Sequence, residues 1–209
     1  ALGTGAGSRI TGYDNLSGGS YSGYGLVGSG NVAMGLGAAT GVTSNNDGAT
    51  FVKGGVTYAV GAVPTTTANN VVALGNLALT GGDNATAVGA YSNASSGNSV
   101  ALGTAANVAS AATSGIAVGQ ATVLGVNGIA QGTGALSGSV GQNVAIGAGA
   151  KANSTTAAGG AVAIGRSQTA IGNGAVAIGD PNTANGDGAV AMGNNVIAAG
   201  DTAGSTAAQ

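Results

Sequence analysis

The chain has 209 residues, of which 5% are charged and 44 are glycine; its net charge is −2, and histidine, cysteine, tryptophan and glutamate are all absent. So few charges leave no electrostatic footprint for nucleic acid or an anionic membrane, and a chain without histidine, cysteine or glutamate lacks most of the groups that acid, base and nucleophilic catalysis use, so the sequence reads as non-enzymatic. There is no disulfide framework, no thiolate metal site and no run of roughly 18 apolar residues that could form a membrane helix, while a 44% hydrophobic content argues against a disordered glycine-rich linker.

In chain order, residues 1–30 form a less regular N-terminal segment that carries Tyr13, Tyr21 and Tyr24. Residues 44–58, "SNNDGATFVKGGVTY", interrupt a regular spacing of glycines: Gly35 and Gly61 are 26 apart, 12 more than one repeat, and the interruption reads as a hairpin or loop insertion containing Phe51 and Tyr58. From there Gly61, Gly75, Gly89 and Gly103 recur every 14 residues. The spacing loosens to 16, 13 and 15 at Gly119, Gly132 and Gly147, widens at "KANSTTAAGG", and returns to 14 over Gly165, Gly179 and Gly193. A fixed period of this kind is the mark of a solenoid.

Each of these glycines closes a short apolar stretch such as "VVALG", "SVALG" or "AVAIG". Alternation within a strand places Val72 and Leu74, Val100 and Leu102, Val144 and Ile146, Val162 and Ile164, Val176 and Ile178, and Val190 and Met192 on one face, with alanines such as Ala177 on the other. Neither face is polar, so both must be buried: one inside the coil, the other against a further copy of the chain. Which face does which is open at this level.

A second, smaller arm follows, in which the residues three and five places after the glycine share a face, as in Ala78 and Thr80, Ser92 and Ala94, Ala106 and Val108, and Val196 and Ala198. Asp83, Asn173, Asp187 and Asp201 sit one place after a mid-repeat glycine, as turn residues do, and Asn182 is expected in an exposed turn. Two strands and two tight turns use up 14 residues, so the expected fold is all-β: a parallel β-roll, or solenoid, of about a dozen rungs without helices, assembled as a symmetric homo-oligomer. The glycines are expected to take positive φ where the chain reverses.

No motif adds cofactor chemistry. Asp187 and Asp201, one rung apart, could form a carboxylate ladder for a cation, but solvated turn residues are the favoured reading. "GGDNATAV" does not recur at the nine-residue period of calcium-binding rolls, the threonines of "VPTTTANN" do not recur at one rung position as an ice-binding face requires, and "GLGAATG" lacks the lysine of a phosphate loop. Neither a metal nor a cofactor is expected. The aromatic residues cluster early, with Tyr13, Tyr21, Tyr24, Phe51 and Tyr58 all before Gly61 and only Tyr91 after it. They read either as a cap over the first rung or as recognition anchors at a tip.

The units "NSVALGTAANVAS", "AVAIGRSQTAIGNG" and "AVAIGDPNTANGDG" resemble the head repeats of trimeric autotransporter adhesins, the YadA-like head, over Asn31 to Gly200. The resemblance implies that residues 1–209 are a single head with a left-handed roll in each chain, three chains side by side, on the outer face of a Gram-negative outer membrane. It also implies attachment to host cell-surface receptors or to matrix proteins such as collagen, laminin or fibronectin, and hence a part in virulence. Heptad stalk, neck segment and β-barrel anchor are not recognisable, so the sequence is expected to be an isolated head that does not itself insert into a membrane. The rival expectation is a structural spacer that projects another tip domain.

Overall fold

The computed structural model describes residues 2–8, 10–39, 50–53, 56–59 and 68–199, in two compact units divided between Ala106 and Asn107. Each unit is a parallel β-solenoid, and there is no helix among the described residues. In the first unit the long-arm strands are Leu16–Gly18, Val32–Met34, Val72–Leu74, Thr86–Val88 and Val100–Leu102, each hydrogen-bonded to the next in that order. The short arm contributes Leu79–Thr80 and Asn93–Ala94.

In the second unit the long-arm strands are Ile116–Val118, Ile129–Gln131, Val144–Ile146, Val162–Gly165, Val176–Gly179 and Val190–Gly193. Seven short-arm strands, from Asn107–Val108 to Ile197–Ala199, stack beside them. Identical positions face one another, so that Ala163 is partnered by Ala177 and Ala177 by Ala191. The 14-residue period is therefore one rung.

Val32–Met34 pairs directly with Val72–Leu74, so the described rung glycine that follows Gly35 in the stack is Gly75. Gly61 itself lies outside the described residues, as do residues 44–49, 54 and 55 of the interrupting segment. Within that segment Thr50–Lys53 and Val56–Ala59 pair antiparallel.

Alanine faces inward. Ala73, Ala87, Ala101, Ala117, Ala130, Ala145, Ala163, Ala177 and Ala191 are all fully buried, whereas their Val, Leu, Ile and Met neighbours are half-buried or exposed. The buried apolar side chains larger than alanine among the described residues are Leu26, Val71, Leu77, Val108 and Val123. The two arms therefore lie close together over a core of methyl groups, and volume is conserved locally. Where the short arm supplies Val108 and Val123, the opposing positions are Gly115 and Gly128, at which a Cβ would come within 2.9 and 2.8 Å of the valine methyls.

The rung glycines do take positive φ, from 117° to 134° at most rungs and 80° at Gly119. At Gly179, with φ of 132°, a Cβ would collide with the carbonyl oxygen of Gly193 on the next rung. Both conformation and space require glycine there.

Candidate functional site

The first candidate surface is the outward face of the long arm. Val72, Leu74, Val100, Val144, Ile146, Val162, Ile164, Val176 and Ile178 are half-buried, Leu102 is exposed, and Val190 and Met192 on the last described long-arm strand are 55% and 62% exposed. Stacking one rung on the next covers the sides of these chains but not their tips. In each unit the result is a largely apolar stripe running across the strands, broken by Thr86 in the first and Gln131 in the second, with no element packed over it among the described residues.

The second candidate surface is the set of early aromatic residues. Tyr13 stands out at 81% exposure, Tyr21 is 42% exposed and Tyr24 is half-buried. The rings of Tyr21 and Tyr24 meet edge to face at a centroid separation of 6.1 Å. Phe51 and Tyr58 are backbone partners in the antiparallel pair; their side chains lie outside the described part of the molecule. Thus the structure brings Tyr21 and Tyr24 together, and Phe51 and Tyr58 together, as two separate pairs.

The polar corners are capped internally. In the first unit Ser29 Oγ accepts from the Tyr13 amide, Asn69 Oδ1 from the Ser29 amide and Asp83 Oδ1 from the Asn69 amide, so each rung's turn side chain satisfies the backbone of the rung before it. Asn70, Asn84 and Asn98, all at φ near 56°, form an amide ladder at 3.4 and 3.1 Å. In the second unit Asp187 Oδ1 accepts from the Asn173 amide and from Thr155 Oγ1, both at 2.7 Å. Those two donors, the backbone amide first, hold the Asp187 carboxyl below its ordinary range.

Such an oxygen is committed to capping. Asp201, its expected ladder partner, lies outside the described residues, and no group of three or more potential ligands gathers among the described ones. The ion pair between Arg166 and Asp180, with Nε to Oδ1 at 3.1 Å, is largely in solvent and contributes little. A shallow hollow of about 260 Å³ lined by Val126, Ser139, Val140, Gly141, Gln142 and Ala157 holds no ionisable side chain.

Asn182 is not an exposed turn residue. It is 2% exposed, and its amide nitrogen donates to the carbonyls of Ile178 and Gly193 at 2.8 Å. Its side-chain oxygen accepts from the Val196 amide at 2.8 Å, and its own backbone amide donates to Gln168 Oε1 at 3.0 Å. Asn182 lies three places after Gly179, as Gln168 lies three places after Gly165, and that position is buried on most rungs, as at Ala78, Ser92, Ala106, Ala135 and Ala150. Rung register thus outweighs the turn preference of asparagine, and counting from the glycine would have located both residues.

Two segments of the chain, residues 81–106 and 170–195, match the YadA head domain repeat. The first lies in the first unit and the second in the second unit. No curated protein matches the chain.

Proposed function

Since the chain is a YadA-like head domain of a trimeric autotransporter adhesin, we propose that it works as the adhesive part of a bacterial surface protein, without catalysis. It assembles as a homotrimer of left-handed rolls outside a Gram-negative outer membrane and attaches there to host cells or matrix proteins such as collagen, laminin or fibronectin. One observation supports the reading most directly: the outward stripe of Val, Leu and Ile side chains is largely apolar along each unit and unpartnered among the described residues. Identical rungs make the stripe self-complementary, which suits association with further copies of the same chain.

Trimerisation would bury the stripe and leave the short arms and corners facing solvent, free to contact a partner. Many equivalent weak contacts along a repeat add up by avidity, so a lateral surface can hold an extended matrix protein without a single dominant residue.

Sedimentation is expected to give three times 18.9 kDa, and replacing Ile178 with aspartate is expected to shift the protein toward monomer. The wild-type trimer is then tested for attachment to cultured cells and to immobilised collagen, laminin and fibronectin. A stable monomer would refute the assembly. A folded trimer that attaches to none of these would refute adhesion and leave the spacer role.

A further inference from the structure

In the first unit, the corner that joins the long arm to the short arm holds large side chains in a backbone conformation that rarely accepts them. The second residue after the rung glycine is left-handed at most rungs, where it is otherwise Gly5, Gly37, Leu77, Ala105, Gly134, Gly149, Ser167 or Asn195. At two rungs it is tyrosine: Tyr21 at φ 57° and Tyr91 at φ 58°. A bulky residue in this region is disfavoured relative to glycine or asparagine, and such strain concentrates at sites with a use for the side chain. The rings are not there to fill the core, since Tyr21 is 42% and Tyr91 49% exposed.

The backbone ladder puts the two in one column. Hydrogen bonds run from the Gly37 amide to the Ser20 carbonyl, from Leu77 to Leu36 and from Tyr91 to Asn76, so Tyr91 lies three rungs from Tyr21, or about 14 Å. The Tyr21 ring is braced on one side by Gly5, where a Cβ would come within 3.0 Å of Cδ1, and by the edge contact with Tyr24. Gly37 and Leu77 occupy the column between the two tyrosines, while Leu36, 50% exposed, and exposed Asn76 and Thr104 line the adjoining column and add apolar surface and hydrogen-bonding groups. From Ser20 to Thr104 the corner carries no charge, whereas its counterpart in the second unit carries Arg166 and Asp180.

We infer that this corner is a binding strip for a neutral oligosaccharide, whose sugar rings stack on Tyr21 and Tyr91 and whose hydroxyls meet Asn76 and Thr104. The inference deepens the adhesin reading and rests on it. A corner two residues wide and five rungs long presents roughly 160 Å² in projection, about a fifth of what each partner gives to a stable protein interface. A narrow uncharged strip with spaced aromatic faces suits a chain of apolar ring faces edged with hydroxyls better than it suits a folded protein. The three-rung span calls for several linked sugars, not one.

The test is calorimetric titration of the full chain with cellohexaose, chitohexaose, maltohexaose and a mannohexaose, each against its monosaccharide. At least one hexasaccharide is expected to bind roughly tenfold or more tightly than its monosaccharide. Tyr21→Asn and Tyr91→Asn should each weaken that binding by about tenfold, since each removes one stacking platform. Thr133→Ala, on the equivalent corner of the second unit, should leave it unchanged. Asparagine is accepted at this φ, as at Asn195, so the melting temperature of both tyrosine variants should stay level or rise, which separates lost binding from lost fold. Failure of all four hexasaccharides to bind, or undiminished binding by the double variant, would overturn the strip. Attachment to cells and matrix proteins is measured on the same variants: if it persists unchanged while sugars fail to bind, the adhesin reading stands without the strip.

Discussion

Replacing Asn182 with alanine should destabilise the second unit severely. The side chain supplies two donors, to the carbonyls of Ile178 and Gly193, and one acceptor, to the amide of Val196, all at 2.8 Å and all at a residue 2% exposed. Alanine cannot replace any of the three. Each buried group left without a partner costs about 1–3 kcal/mol, but the Gly193 carbonyl still accepts from the Asp180 amide at 3.1 Å, and Gly193 and Val196 belong to the last described rung, where water can reach and reduce the penalty. A total of about 2–4 kcal/mol follows, equivalent to a fall in melting temperature of roughly 5–15 °C for a chain of this size. The assay is thermal unfolding followed by circular dichroism, with Asn194→Ala as the reference, because Asn194 is exposed and its loss should stay within about 0.5 kcal/mol. Asn182→Asp sharpens the result, since a carboxylate can still accept from Val196 but cannot donate to either carbonyl. If Asn182→Ala and Asn194→Ala melt together, the account of Asn182 as an internal strut is wrong.

Gly179→Val forces a β-branched side chain into φ of 132° and against the Gly193 carbonyl; a loss of about 1–3 kcal/mol per chain from backbone strain alone is expected in the same melting assay. Asp187 has a lowered pKa in the fold, so its capping contribution is complete above the ordinary value of 3.8 and disappears as pH falls through the folded value. The difference in melting temperature between wild type and Asp187→Ala should accordingly be constant above about pH 5 and shrink below 3.8, and a gap that widens on acidification would contradict the hydrogen bonds from Asn173 and Thr155.

Much of the fold could be read from the spacing of glycines and the strand alternation between them. A 14-residue period with a turn at each half leaves room for two short strands and nothing else, and the positive φ at Gly75, Gly89, Gly103, Gly165, Gly179 and Gly193 follows from the need to reverse direction at each rung. What the period could not show was where it applies. Val32–Met34 bonds directly to Val72–Leu74, 40 residues on, a neighbour that pairing decides and the count of 14 does not.

The candidate surfaces were legible to a lesser degree. Alternation identified Val176 and Ile178 as sharing a face, and the tyrosines were visible by composition, but a strand with two apolar faces is ambiguous by period alone. Size decides it. The two arms approach so closely that Ala177 and its equivalents are fully buried while Val176 and Ile178 keep their tips in solvent. The same closeness requires Gly115 and Gly128 opposite Val108 and Val123. It also puts the side chains of Asn182 and Gln168 to work inside the roll, all on backbone groups. Local sequence determined the repeat, the strands and the turns, since each is settled within a few residues by φ preference and alternation. The inward face, the direct pairing of Val32–Met34 with Val72–Leu74 and the roles of the buried amides depend on volume and hydrogen-bond partners supplied by rungs 14 or more residues away, and only the folded stack brings those together.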